Sequence, residues 1–236
     1  MSGRIAPSIV RDGLVMYLDA ANTKSYPGSG TTWYDMINTA DGVLQNGPTY
    51  NTDIKSFTFD GINDYTSFAN QSQFYTPTFT VCAWVCALYF EAQGTNIFTL
   101  GDSNRLLLGT NYGTSGVPTG GIYFRVVGTS ATLDAYTSLP TIVSLNNWYH
   151  YTFIVDLPGQ NIKGYVNGVQ AYSNTNNYGS DFLNGPGVYP GVLASRYGGG
   201  ADQANIKIST FSFYNRILST TEILQNYNAL KGRFGL

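Results

Sequence analysis

The sequence predicts an all-β chain, a two-sheet antiparallel jelly-roll sandwich carrying one short C-terminal helix. Three observations lead there. The stretch 148–172, WYHYTFIVDLPGQNIKGYVNGVQAY, reads as a three-stranded meander. Short apolar or alternating runs, about a dozen in all, recur along the rest of the chain between turn-rich segments. Only residues 220–230 carry a convincing helical pattern.

The meander is the strongest of these signals. Residues 148–155 form an unbroken aromatic and β-branched run, the composition that suits a packed pleated surface. Tyr149, Tyr151, Phe153 and Val155 project to one face, and Trp148, His150, Thr152 and Ile154 to the other. Asp156-Leu157-Pro158-Gly159 turns the chain, with Pro fixing φ at a corner and Gly expected to take a positive φ. A second strand covers 162–166, and Asn167-Gly168 between two valines is a strong hairpin signal. Large side chains on both faces require a second sheet on at least one of them, hence a sandwich.

In chain order, residues 1–12 form a short lead that Pro7 keeps out of a helix. Residues 14–19 alternate as a strand. Residues 22–32, NTKSYPGSGTT, are turn-rich and end in Trp33-Tyr34. Val43-Leu44 is a short strand, and runs at 57–59 and 65–68 flank the turn Asp60-Gly61-Ile62-Asn63-Asp64. Residues 79–88 are apolar on both faces, as a fully buried strand would be. Strands at 97–100, 106–108 and 122–127 follow, and 137–145 leads into the meander. After it come a polar loop at 174–187 and strands at 192–195 and 206–214. No linker composition and no repeat period divide the chain, so residues 1–236 read as one domain. The helix has Ser219 as its cap and Glu222 to complete a capping box. Ile223, Leu224, Tyr227 and Leu230 would form its apolar face. Gly232 would end it, with Lys231 and Arg233 at its negative end. Its economical role is to lie across one sheet and hold the C-terminal segment down.

Composition narrows the function. Charged residues are 11% of the chain and the net charge is −2, which offers no basic footprint for nucleic acid. The longest apolar stretch, 79–90, is too short to span a bilayer, and residues 1–13 lack the apolar run of a signal peptide. Cys82 and Cys86 share one strand. Four strand residues span roughly 13 Å, beyond the about 7 Å that a disulfide tolerates, so both are expected as buried free thiols.

Four stretches carry a family resemblance: GLVMYLDAAN at 13–22, SFTFDGINDY at 56–65, the central WYHYTFIVD with IKGYVNGV, and IKISTFSFYNRIL at 206–218. Together they resemble laminin-G-like domains of the concanavalin A-like lectin/glucanase superfamily. A start like GLVMYLDAANTKSYPGSGTTW and an end like ILQNYNALKGRFG resemble, more narrowly, the stand-alone laminin-G-like proteins in particles of tailed bacteriophages.

The resemblance includes glucanases, whose paired carboxylates lie on one strand as Glu-x-Asp-x-Glu. Glycoside hydrolysis needs two such groups flanking the bond. This chain has only two glutamates, Glu91 and Glu222, far apart in sequence. His150 is the only histidine and sits inside the meander, where packing is its expected role. No nucleophile elbow, zinc-protease or phosphate-loop motif is present. Catalytic residues are therefore expected to be absent.

Two binding chemistries remain. Asp60, Asn63 and Asp64 supply hard oxygens of the kind Ca²⁺ takes, and many laminin-G-like domains bind calcium at a sheet rim. The competing reading is an Asx-type turn in which these side chains bond their own backbone. The incomplete ligand set favours that turn, and no cofactor is required. Glycan binding would use exposed aromatic faces at one rim. Trp33, Tyr34, Tyr112, Tyr178 and Tyr197 lie in or beside loop-like stretches and are the candidates.

The resemblance thus implies a non-enzymatic virion structural or accessory protein, a head decoration, fibre or tail component. It would be made in the bacterial host cytoplasm. Its partners would be other virion proteins, further copies of itself and host cell-surface polysaccharide, without nucleic acid and without membrane insertion. The alternative is a soluble carbohydrate-binding lectin module, calcium-assisted or not; a glucanase is more remote.

Overall fold

The computed structural model describes residues 8–37, 40–68, 74–90, 94–100, 106–110, 120–127, 132–136, 143–175, 191–196 and 202–236. In chain order its strands are β1 (Leu14–Asp19), β2 (Thr32–Trp33), β3 (Gly42–Gln45), β4 (Thr49–Asn51), β5 (Ser56–Asp60), β6 (Tyr65–Phe68), β7 (Thr78–Ala87) and β8 (Thr95–Leu100). Then follow β9 (Leu106–Thr110), β10 (Ile122–Val127), β11 (Thr132–Tyr136), β12 (Trp148–Asp156), β13 (Asn161–Val166), β14 (Val169–Thr175), β15 (Gly191–Leu193) and β16 (Asn205–Tyr214). The helix α1 (Thr220–Leu230) comes last and runs into a 3₁₀ turn at Lys231–Phe234.

The strands make two antiparallel sheets. The first has the order β14-β13-β12-β7-β16-β5-β4, with β1 also on β16; the second has the order β11-β10-β9-β8-β15-β6-β3-β2. Strand β16 pairs with β7 along one edge. Along its other edge it pairs with β5 through residues 205–208 and with β1 through residues 210–214. The register slips at Ser209, between Ile208 and Thr210, and the slip lets one strand serve two partners. Its hydroxyl donates to Lys55 O at 2.8 Å, closing the backbone at that point.

The core lies between the sheets and is dominated by phenylalanine. Phe79 stacks on Phe213 with ring centroids 5.2 Å apart, and Phe68 on Phe211 at 5.9 Å. Strand β7 is buried on both faces, as its composition requires. Phe79, Val81, Ala83 and Val85 face this core, whereas Cys82 belongs to a second cluster on the outer face of the first sheet. That second cluster also holds Val10, Ile154, Tyr165, Tyr214 and Ile223, the last contributed by α1. The meander follows the same division: Tyr151, Phe153 and Val155 point inward and Ile154 outward. Both cysteines are free and buried, in keeping with their shared strand.

Several local features match the sequence and several correct it. Asn167 and Gly168 take φ of 52° and 80°, the paired positive values of the expected hairpin turn. At the other end of that hairpin the positive φ belongs to Gln160, at 52°, rather than to Gly159. Gly159 lies against the Asp156 carboxylate, whose Oδ1 accepts from Gly159 N at 2.9 Å, so a Cβ there would displace that side chain. Strands β2, β4 and β11 lie outside the expected set. The polar loop begins later than expected, because β14 carries the ladder through Thr175.

The helix starts as its capping box dictates. Ser219 Oγ accepts from Glu222 N, and Glu222 Oε2 accepts from Ser219 N at 2.8 Å. Its end and its face differ from expectation. The chain tightens into the 3₁₀ turn instead of stopping at Gly232, and Gly235 (φ 73°) is the left-handed cap. Leu224 is exposed, and the side chains buried by α1 are Ile223 and Asn226. Asn226 is a polar residue on an apolar face, and the fold uses it fully. Its Oδ1 accepts from Val10 N at 2.8 Å and its Nδ2 donates to Tyr214 Oη at 3.1 Å.

Candidate functional site

The aromatic residues proposed for a glycan rim separate on inspection. Trp33 is completely buried in the core, with its ring 4.7 Å from that of Phe57. It is a packing residue and not a surface platform. Adjacent side chains of extended backbone point to opposite sides, so burying Trp33 turns Tyr34 outward, where it is exposed. Tyr112, Tyr178 and Tyr197 fall outside the described residues.

The loop Asp60–Asp64 folds as an Asx turn. Asp60 Oδ1 accepts from Ile62 N at 2.8 Å, and Asp64 Oδ2 accepts from Asp60 N at 3.3 Å. Asp64 is buried, and desolvation, reinforced by the charge of Asp60, pushes its carboxyl above the usual carboxylate range. Asn63 contributes its carbonyl oxygen to Asn46 Nδ2 at 2.7 Å, with its own side chain left exposed. Among the described residues no cluster of three or more His, Cys, Asp or Glu is placed to hold a metal ion.

Of the titratable groups that sequence singled out, Glu91 falls outside the described residues, and Glu222 and His150 are built into the fold. Glu222 closes the capping box and also grips Arg216 through two bonds of 2.6 and 3.1 Å. That guanidinium, first, and the Ser219 backbone hold its carboxyl down at about 2. His150 is buried between Trp84, 5.3 Å away, and Tyr227, at 6.3 Å. Burial alone drives its imidazole down to about 3, so it is neutral at ordinary pH.

A concave site does exist, formed by the chain's first described residues. A cavity of about 420 Å³ opens beside β1, with Tyr17, Leu14 and Met36 in its wall and Arg11, Asn22 and Lys24 among its polar lining. Asp35 is built into the same wall and organises the loop. Its Oδ1 accepts from Tyr17 N at 2.9 Å and from Ile37 N at 3.0 Å, and its own N–H donates to Asp41 Oδ1 at 2.8 Å. Asn22 Oδ1 accepts from Lys24 N at 3.0 Å in a second Asx turn. Behind Tyr17, its hydroxyl donates to Asp19 Oδ2 at 3.1 Å, and burial together with Asp19 raises that phenol well above its ordinary value. The sequence showed the turn-rich composition of 22–32 but not that Asp35 would fold it into a pocket wall.

With the geometry established, the comparisons locate this architecture. The description "Concanavalin A-like lectin/glucanases superfamily", in its laminin-G form, matches residues 60–224, well over half of the 236. No curated protein matches. Among solved structures, the Trypanosoma rangeli sialidase in complex with sialic acid is similar at 17% identity and TM-score 0.66, over 98% of this chain and 36% of that one. The same sialidase with 2,3-difluorosialic acid gives 16% identity and TM-score 0.68, over 99% and 35%. The binding domain of Paraclostridial Mosquitocidal Protein 1 gives 17% and TM-score 0.70, over 92% and 52%. The chain therefore spans about a third of the sialidase chains it matches. At these identities the likeness is one of fold. The two jelly-roll sheets, the capping helix and the family match together establish that the chain belongs to the concanavalin A-like lectin/glucanase superfamily, as a laminin-G-like domain.

Proposed function

We propose that this domain is a non-enzymatic binding module, serving as a structural or accessory protein of a tailed-phage particle that contacts host-surface glycan. The observation that carries the binding half of the reading is how the described acids are used. Glu222 is tied to Arg216 and its own helix cap, and Asp19 to Arg233. Asp60 and Asp64 are turned onto backbone N–H groups. A glycosidase needs two carboxyl groups facing one bond with room for sugar between them, and none of these acids is so arranged.

What supports the particle half is the pair of stretches that resemble phage laminin-G-like proteins, 13–33 and 223–235. They lie near opposite ends of the sequence, yet the fold joins them through Asp19 and Arg233, 214 positions apart.

Mass spectrometry of purified, nuclease-treated particles tests the location; the protein is expected among the particle components, and its absence from them overturns that half. Binding of the purified protein to host envelope polysaccharide tests the rest. Saturable binding without release of reducing sugar is expected, and release of reducing sugar would replace the binding module with a hydrolase.

A further inference from the structure

We infer that the cavity beside β1 is a binding site for an acidic saccharide, a sugar unit bearing a carboxylate, and this inference rests on the glycan-binding reading above. The argument is one of donors and acceptors. Arg11 and Lys24 line the cavity, are both exposed, and have no ion-pair or hydrogen-bond partner for their cationic heads among the described residues. Asn22 has its carbonyl oxygen taken by Lys24 N, which leaves the amide Nδ2 as its free polar group. Asp35 is the only acid among the described lining residues, and its carboxylate is already engaged. Oδ1 accepts from Tyr17 N and Ile37 N, and Oδ2 from Ala40 N at 3.4 Å. The Tyr17 hydroxyl is likewise directed away, onto Asp19. The unused polar capacity of the pocket is therefore donor capacity, and two of its three donors are cations.

A neutral sugar presents hydroxyls that both donate and accept, and it would leave two cations facing groups that cannot balance them. A carboxylate matches the set, because guanidinium and ammonium donors bond it with charge assistance. The rest of the wall suits the body of a pyranose. Leu14, Met36 and Ile37 offer apolar surface for its C–H faces, with the partly buried ring of Tyr17 beside them. The volume, about 420 Å³, lies within the roughly 300–1,000 Å³ range of ligand pockets and suits one or two sugar units rather than a macromolecular segment. The chain is net negative, so the pair Arg11/Lys24 runs against its overall charge.

The test uses the full chain and four probes: polygalacturonate, whose units carry carboxylates, dextran as a neutral polysaccharide, and two competitors, free galacturonate and inorganic phosphate as a bare anion. Polygalacturonate is expected to bind saturably, with affinity falling as salt is raised. The Arg11→Ala/Lys24→Ala double variant removes two exposed side chains whose cationic heads have no partner among the described residues, and it is expected to weaken binding at least tenfold. The Lys163→Ala/Lys207→Ala variant removes the same charge away from the cavity and is expected to bind as wild type. Equal weakening by both variants would overturn the pocket as the site. Binding of dextran as tightly as polygalacturonate would overturn the acidic-sugar assignment while leaving the glycan-binding reading intact. Phosphate competing as well as free galacturonate would show that the cavity takes any anion and would overturn the saccharide class. Binding to none of the polysaccharides, host envelope material included, would overturn both readings.

Discussion

Arg233 grips Asp19 through two hydrogen bonds of 2.7 and 3.0 Å, joining residues 214 positions apart. Asp19 is nearly buried and would be costly without a counter-charge. It also accepts from Ala21 N and the Tyr17 hydroxyl, so the ion pair anchors the β1 turn as well as the C-terminal segment. Breaking a buried pair by removing one partner costs about 3–5 kcal/mol. This pair keeps some solvent contact, with side-chain exposures of 22% and 9%. Arg233→Ala is therefore expected to cost about 2–3 kcal/mol, read as a lower denaturation midpoint at unchanged m-value. Adding Asp19→Asn to that variant should recover part of the loss, and a strictly additive double variant would refute the coupling.

Phe234 extends the same anchor. Its ring stacks on Trp84 at 4.2 Å and lies 4.6 Å from Trp148, bridging two of the chain's three tryptophans. Phe234→Ala should cost about 1–2 kcal/mol, from lost apolar area and lost ring contact. It should also shift tryptophan fluorescence to the red while the far-ultraviolet circular dichroism stays unchanged. An unaltered emission maximum would show that the stack does not persist in solution.

His150 makes stability depend on pH. Its folded value is about 3 against 6.5 for the free side chain, so between these values the unfolded chain binds the extra proton. The folded state therefore has this contribution in full above about pH 6.5 and loses it as pH falls toward 3, by at most about 1.4 kcal/mol per pH unit. His150→Leu should flatten that part of the profile in urea denaturation across pH 4–7. A wild-type slope retained by the variant would assign the effect to other groups.

Trp33 and Tyr34, adjacent in sequence, should respond in opposite ways. Trp33→Ala removes a completely buried ring and should cost about 3–5 kcal/mol. Tyr34→Ala, on the exposed side, should stay within about 0.5 kcal/mol of wild type. Any binding loss from Tyr34→Ala would then be a direct effect, whereas loss from Trp33→Ala would accompany unfolding. Thermal melts beside binding titrations separate the two.

The Asp60–Asp64 turn is already satisfied by its own backbone, so calcium is not expected to be needed to hold it. Chelator-treated and calcium-supplied protein should melt within about 1 °C of each other, since only a ligand favouring the folded state raises its midpoint. A rise of several degrees with calcium, abolished by Asp60→Ala, would make this loop a metal site.

What could be read from the sequence was what adjacent residues decide among themselves. The meander, the Asn167-Gly168 turn and the Ser219/Glu222 capping box depend on neighbours within a few positions, and all three stand in the structure. Strand β11 was missed because Thr132–Tyr136, TLDAY, carries too short an apolar pattern to announce itself; the ladder to β10 makes it a strand. Distant partners account for the other differences. Trp33 looked exposed because a turn-rich run precedes it, and only Phe57 across the sandwich shows that it is core. Asn226 would weaken an apolar helix face, except that Val10 N, 216 positions away, gives it a partner. The cavity beside β1 was invisible for the same reason: Asp35 folds the loop onto Tyr17 from 18 positions away.

The position of β16 has a consequence for biosynthesis. Among the described strands it comes last in chain order, yet it separates β7 from both β5 and β1. Until residues 205–214 emerge, β7 has a bare edge and β1, made well before them, has no strand to join. The first sheet cannot close on a partial nascent chain, and a truncated product would present an apolar, unpaired strand edge, the kind of surface that seeds aggregation. This sheet can close only once the chain has been made through β16, and a product that stops short of it carries the bare edge as the sign of its incompleteness.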